Sequence, residues 1–181
     1  HVYLGEFLTE DDRAEARRVA ATPDVHTLLE WVDQGCPVGR LSLSAPQSAT
    51  RTMSIDDPAP TFLGFYQKAV ASAVLVNRAL EKLFTTQQID RILIHLGRLI
   101  PDSVAQHHAR KFNIPWFSYE TGNLRNSLRL IREATVYSRP FYRNRWPTFA
   151  QSPLNVEQIA TIQHWLRLRR MDRRKAGMLT Y

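Results

Sequence analysis

Three kinds of side chain able to move a proton or hold an anion fall at the ends of two short apolar runs. His95 and Arg98 lie at and just beyond the end of Arg91-Ile-Leu-Ile-His-Leu96, and Glu120 follows Ile114-Pro-Trp-Phe-Ser-Tyr119. An imidazole, a guanidinium and a carboxylate at one spot can orient a hydroxyl, take its proton, or hold a phosphate. Gly97 and Gly122 flank them and would permit close backbone approach by a ligand, and Asn123 and Arg125 extend the second group. Each of these residues also has a plain structural alternative. Gly97 is a turn residue in that view, Glu120 pairs with Arg98 or Arg125, and His95 is a satisfied core histidine.

For these groups to meet, the two runs must be adjacent strands. Pro101 opens a helical stretch of about a dozen residues that ends near Asn113, so the order is strand, helix, strand. That order predicts a βαβ unit with parallel strands buried by helices, and ligands in such sheets bind beyond the carboxyl ends of the strands. The fold class expected is therefore α/β, a Rossmann-like parallel sheet of few strands in a helix-rich chain. Thr135-Val-Tyr-Ser138 is the candidate third strand.

The remaining elements follow from caps, periodicity and breakers. Thr9 before Glu10, Asp11 and Asp12 predicts a helix to about Thr22, and a second is expected from Asp24 to Gln34, ending at Gly35. Two Gly and two Pro between Gly35 and Gln47 predict a structured connection. From Thr61 to Thr86 the spacing of Phe62, Phe65, Tyr66, Ala69, Ala73, Val76, Leu80 and Leu83 predicts one long amphipathic helix. Residues 138 to 153 hold three Pro and read as a loop, after which Asn155 starts a helix reaching about Met171. The domain division expected is 1–150 for the α/β domain and 151–181 for an Arg-rich helical segment.

Charge is divided along the chain. Of the net +7, residues 1 to 124 contribute 12 Lys/Arg against 14 Asp/Glu, and residues 125 to 181 contribute 12 against 3. Arg167, Arg169, Arg170, Arg173 and Arg174 make the densest part and are candidate anion-binding residues, suited to nucleic acid or to anionic lipid headgroups. The aromatics of Tyr137-Ser-Arg-Pro-Phe-Tyr-Arg-Asn-Arg-Trp146 lie close by in sequence and would stack on a base or a sugar. The plainer alternative for the basic run is a solvated terminal helix or a linker to further sequence. His107 and His108 are adjacent on one helix and do not share a face, so they are poor joint metal ligands and are expected to be a solvated pair, and no metal site is expected.

Other signals narrow the class. The GxGxxG, GxxxxGK[ST], GxSxG and HExxH patterns are absent. The most apolar stretch, Ala69 to Val76, is far shorter than the ~20 residues of a membrane span. No signal-peptide pattern is visible, and one cysteine, Cys36, makes no internal disulfide, so a reducing, cytoplasmic setting is expected. The start at His1-Val-Tyr-Leu-Gly-Glu-Phe, without Met, suggests a fragment.

His95-Leu-Gly-Arg98 after one strand and Ile114-Pro-Trp-Phe-Ser-Tyr-Glu120-Thr-Gly122 after the next resemble the N-terminal half of bacterial surface-polysaccharide glycosyltransferases of the two-Rossmann-domain (GT-B) type. Those proteins often carry Asn-Gly-Arg and Glu-x-Gly at these places. This chain has His95-Leu96 where the family has Asn before Gly-Arg. Gly35-Cys-Pro-Val-Gly39 is similar to a Gly-rich segment upstream in that family, and the resemblance spans roughly residues 35 to 140.

It implies transfer of a sugar from a nucleotide-sugar donor to a saccharide or lipid-linked acceptor. Glu120 would then be the catalytic carboxylate, with His95, Gly97, Arg98, Gly122, Asn123 and Arg125 binding substrate. It also implies that most of the donor is held by a C-terminal domain for which 181 residues leave no room. The chain would be an acceptor-side half that binds no cofactor and is inactive alone, with its basic segment at the inner face of a membrane. The alternative is a non-catalytic module that binds nucleic acid through the Arg-rich end.

Overall fold

The computed structural model describes residues 3–51, 55–56, 60–122, 127–135 and 138–171, with side chains as far as Arg167. A short 3-10 turn, Leu4–Phe7, leads into helix α1, Glu10–Ala20. Thr9 caps α1 through a reciprocal box: its hydroxyl accepts from the Asp12 N–H at 3.3 Å, and the Asp12 carboxylate accepts from the Thr9 N–H at 2.8 Å. Helix α2 spans only Val25–Leu29 and stops well short of the expected Gln34. The chain turns instead, with Asp33 and Cys36 exchanging both backbone hydrogen bonds around Gln34 and Gly35, each at positive φ.

The connection that follows is helical. Helices α3, Val38–Ser42, and α4, Ser44–Thr50, lie end to end. Gly39 lets α3 press against α2, because a Cβ there would strike the carbonyls of Leu28 and Leu29. Helix α5, Pro60–Thr86, is the organising element, as its periodicity predicts. It buries Phe62, Tyr66, Val70, Ala73, Val74 and Leu80 against Val19, Leu28, Val38 and Val104 of the surrounding helices. Phe65 of the predicted stripe is exposed instead.

A polar network crosses the same core. Arg78 of α5 meets Asp33 at 2.8 Å and Asp12 at 3.3 Å, and Lys82 meets Asp12 at 2.7 Å. The Asn77 amide donates to the Asp33 carboxylate at 2.8 Å and to its carbonyl at 2.9 Å. The α1 and α2–α3 segments are thereby anchored to one turn and a half of α5.

Strands β1, Ile92–His95, and β2, Trp116–Thr121, are parallel neighbours joined by helix α6, Asp102–Lys111, so the predicted βαβ unit is present. The third strand differs from expectation. It is β3, Leu128–Arg132, antiparallel to β2, and not Thr135–Ser138. The molecule is thus α/β with a three-stranded mixed sheet in the order β1-β2-β3. Among the described residues the sheet is covered on one face only. Ile92, Ile94 and Trp116 pack under Ala105 and Ala109 of α6, while Leu93, Leu128 and Leu130 of the other face remain exposed.

The stretch read as a proline-rich loop is helix α7, Arg139–Ala150. Ser138 caps it, Pro140 lies in its first turn where no N–H is needed, and only Pro147 sits in its interior. Helix α8, Val156–Met171, matches expectation and starts at Asn155, whose side chain accepts from the Gln158 N–H at 2.8 Å. Neither α7 nor the described part of α8 carries a buried side chain. Among the described residues no helix is long and apolar enough to cross a membrane.

Candidate functional site

β1 ends at His95, which pairs with Tyr119 in the parallel register, and β2 runs on past it to Thr121 at the same end of the sheet. Beyond His95 the chain turns sharply: Leu96 and Gly97 have φ of 60° and 79°, and the Leu96 N–H still reaches the Tyr119 carbonyl at 2.9 Å. The loop is held from α6. Asp102 accepts from the Gly97 N–H at 3.2 Å, and the Gln106 amide donates to the Gly97 carbonyl. Burial raises the Asp102 carboxyl above its ordinary value, with the Gly97 N–H and His95 opposing. Sequence reading passed over Asp102, although an acid directly after a helix-opening proline is its signal.

The expected convergence of His95, Arg98 and Glu120 does not occur. Alternation along the strands puts His95 on the open face, where its ring lies 5.2 Å from that of Tyr119. Glu120 shares the opposite face with Trp116 and Ser118 and stands across from Arg129 of β3. His95 is exposed, so the core-histidine alternative fails as well. Arg98 turns away from both and donates from Nη2 to Ser48 Oγ of α4 at 2.9 Å.

The two glycines serve the chain itself. A Cβ on Gly97 would meet the Gln106 amide and the Thr135 methyl, and one on Gly122 would meet Ser127, whose carbonyl accepts the Gly122 N–H at 2.8 Å. The space left by each absent side chain is filled from within, so neither glycine leaves room for a ligand to reach the backbone. Asn123 and Arg125 lie outside the described residues, as do Arg173 and Arg174. Arg169 and Arg170 fall within α8 but beyond its described side chains; Arg167 is exposed and donates to the Gln163 carbonyl at 3.4 Å.

Arg98 opens onto a cleft of about 250 Å³ lined with Ser44, Gln47 and Ser48 of α4 and with Arg51 just beyond its end. Gln47 and Ser48 are three and four residues from Ser44, one face of a helix, and Arg51 joins them from the left-handed residue that ends it, at φ of 55°. That spacing is visible in the sequence, but the neighbouring Gly and Pro residues mask it by marking the segment as a connection. A larger cleft of about 490 Å³, lined by Arg110, Asn113, Trp116 and Arg132 among others, opens at the amino end of β2, the end opposite to where parallel sheets hold ligands.

No family model, no curated protein and no solved structure matches this chain.

The other chemically capable groups have structural explanations. Burial pushes the Cys36 thiol up to about 12, so it is neither a nucleophile nor a thiolate ligand at neutral pH. His107 and His108 are not the solvated pair expected: His107 is half-buried, and His108 is fully buried, with Nε2 2.7 Å from Asn77 Oδ1. Because the Asn77 amide nitrogen is committed to Asp33, that ring nitrogen is the donor, and Nδ1 faces Glu81 Oε2 at 3.3 Å. Among the described residues no three His, Cys, Asp or Glu side chains are grouped to hold a metal ion.

Proposed function

We propose that this chain is a Rossmann-like, acceptor-side domain of a sugar-nucleotide-dependent glycosyltransferase in surface-polysaccharide synthesis. The observation that carries the reading is the β1–α6–β2 unit, in which two adjacent parallel strands bring the Gly97-Arg98 and Glu120-Thr121-Gly122 segments to the same sheet end. These are the segments on which the resemblance rests. Ligands of open parallel sheets bind at that end.

In this reading Glu120 orients the acceptor hydroxyl and takes its proton as the oxygen attacks the anomeric carbon. The bond from that carbon to the donor diphosphate breaks, and the nucleoside diphosphate leaves with the electron pair. Arg98, held toward α4 in the loop after β1, bears the phosphoryl oxygens, since a guanidinium matches them with paired donors. The two groups then act on different parts of the reactants. His95 and Tyr119 form a ring pair on the open face fit to stack against a sugar. Most donor contacts come from a second half outside these residues, so the 181-residue chain alone does not turn over.

The test is transfer by the natural protein that contains this chain, with Glu120→Gln and Arg98→Ala. Both are expected to lower kcat by about a hundredfold or more, the range for loss of a positioned base or an anion-stabilising donor. Rates unchanged in both variants would defeat the reading.

A further inference from the structure

The two-arginine cleft does not stand alone. A second cleft of about 500 Å³ shares the Ser48 wall with it and runs between α4, α5 and the loop after β1. Its lining is Ala45, Ala49, Ala69, Leu99 and Ile100, with Ser48 and Ser72 supplying the polar groups. Helix α4 explains the division. Ser44, Gln47 and Ser48 face the charged side, where Arg51 joins them from the residue that ends the helix, Ala45 and Ala49 face the apolar side, and Ser48 stands at the border of both. Arg98 and Leu99, adjacent in the chain, divide in the same way from the opposite wall.

We propose that these adjoining clefts form one binding site for a phosphorylated apolar molecule, an alkyl or isoprenyl phosphate or diphosphate. Arg51 and Arg98 take the phosphoryl oxygens with help from the Ser44 and Ser48 hydroxyls, and the hydrocarbon lies along the alanine face under Leu99 and Ile100. Two guanidinium groups and two hydroxyls at the edge of one cleft suit an anion with several acceptor oxygens. An alanine-lined trough beside it offers little to a sugar or a peptide but removes a hydrocarbon from water. The binding stands on this geometry, whereas the use of such a ligand as a lipid-linked acceptor rests on the transferase reading.

The experiment is calorimetric titration of the 181-residue chain with inorganic pyrophosphate, geranyl diphosphate, geraniol and uridine diphosphate, with circular dichroism confirming that each variant is folded. Geranyl diphosphate is expected to bind at least about tenfold more tightly than pyrophosphate or uridine diphosphate, because only it fills both clefts. Arg51→Ala and Arg98→Ala should each weaken both geranyl diphosphate and pyrophosphate by about tenfold. Ala49→Glu should bring geranyl diphosphate down to the affinity of pyrophosphate or below. Equal affinity for pyrophosphate and geranyl diphosphate, tighter binding of uridine diphosphate, or indifference to Arg51→Ala would overturn the inference. Binding as expected in a protein that transfers no sugar would defeat the transferase reading alone. Transfer that proceeds while geranyl diphosphate fails to bind would defeat this inference alone.

Discussion

The Arg98 guanidinium donates from Nη2 to Ser48 Oγ at 2.9 Å across a sequence separation of 50 residues. The bond ties the loop leaving β1 to α4, so the sheet end and the helical layer share one wall. Arg98 is nevertheless exposed, and a solvated hydrogen bond of this kind contributes little to folding.

Arg98→Ala should therefore change unfolding free energy by no more than about 0.5 kcal/mol, as is usual for surface positions. Urea unfolding of the variant checks this. A loss of several times that value would make Arg98 a structural residue rather than a ligand-binding one.

Gly97 is where the loop is least tolerant. Its φ of 79° is strained for any side chain, and an added methyl would also press on Gln106 and Thr135. Gly97→Ala should cost about 1–2 kcal/mol, read as a lower urea midpoint at unchanged slope. Retained stability would show that the loop relaxes without α6.

Asp12 is the hub of the α1–α5 network. Burial pushes its carboxyl upward, but hydrogen bonds from Lys82, Thr9 and Arg78 outweigh that and hold it well below its ordinary value of 3.8. A depressed folded value means the stabilisation is complete above pH 3.8 and is lost as pH falls through the folded value. Asp12→Asn should cost about 2 kcal/mol at neutral pH and show a shallower loss of stability in acid. Parallel acid profiles for variant and parent would remove Asp12 from this role.

His108 sets a second pH dependence at a higher window. Burial lowers its imidazole from 6.5 to about 4, with Glu81 pulling the other way. Glu81 is itself held by Lys111 at 2.6 Å, which weakens its pull on the ring. The unfolded ring takes a proton below pH 6.5 and the folded ring does not until about 4, so stability is full above 6.5 and declines between these values, by about 3 kcal/mol in all. An NMR titration of the His108 ring should give a midpoint near 4. A midpoint at or above 6.5 would mean that Glu81 holds a buried imidazolium.

What the sequence made legible was whatever depended on local chemistry. The α5 stripe, the Thr9 capping box and the two apolar runs of β1 and β2 each carry their signal within a few residues. Leu128–Arg132 was missed because its leucines alternate toward solvent and its pairing with β2 is a tertiary fact. Residues 138 to 153 misled for a different reason. Counting prolines ignores that Pro140 falls in a first helical turn, where it is harmless. The site was legible only as a place. The end of the parallel strands followed from the strand-helix-strand order, but the face each side chain takes depends on where each strand's alternation starts, and this separated His95 from Glu120. Ser48 and Arg51 were hidden because a helix can form between breakers when α5 packs beneath it.

The most direct test of the account is transfer itself. The natural protein containing this chain, supplied with labelled nucleotide sugars and an isoprenyl-diphosphate-linked saccharide, should release nucleoside diphosphate and label the acceptor with one donor, and release should depend on the acceptor. Absence of acceptor-dependent release with every common nucleotide sugar, from folded protein, would contradict the assignment of this domain to a glycosyltransferase.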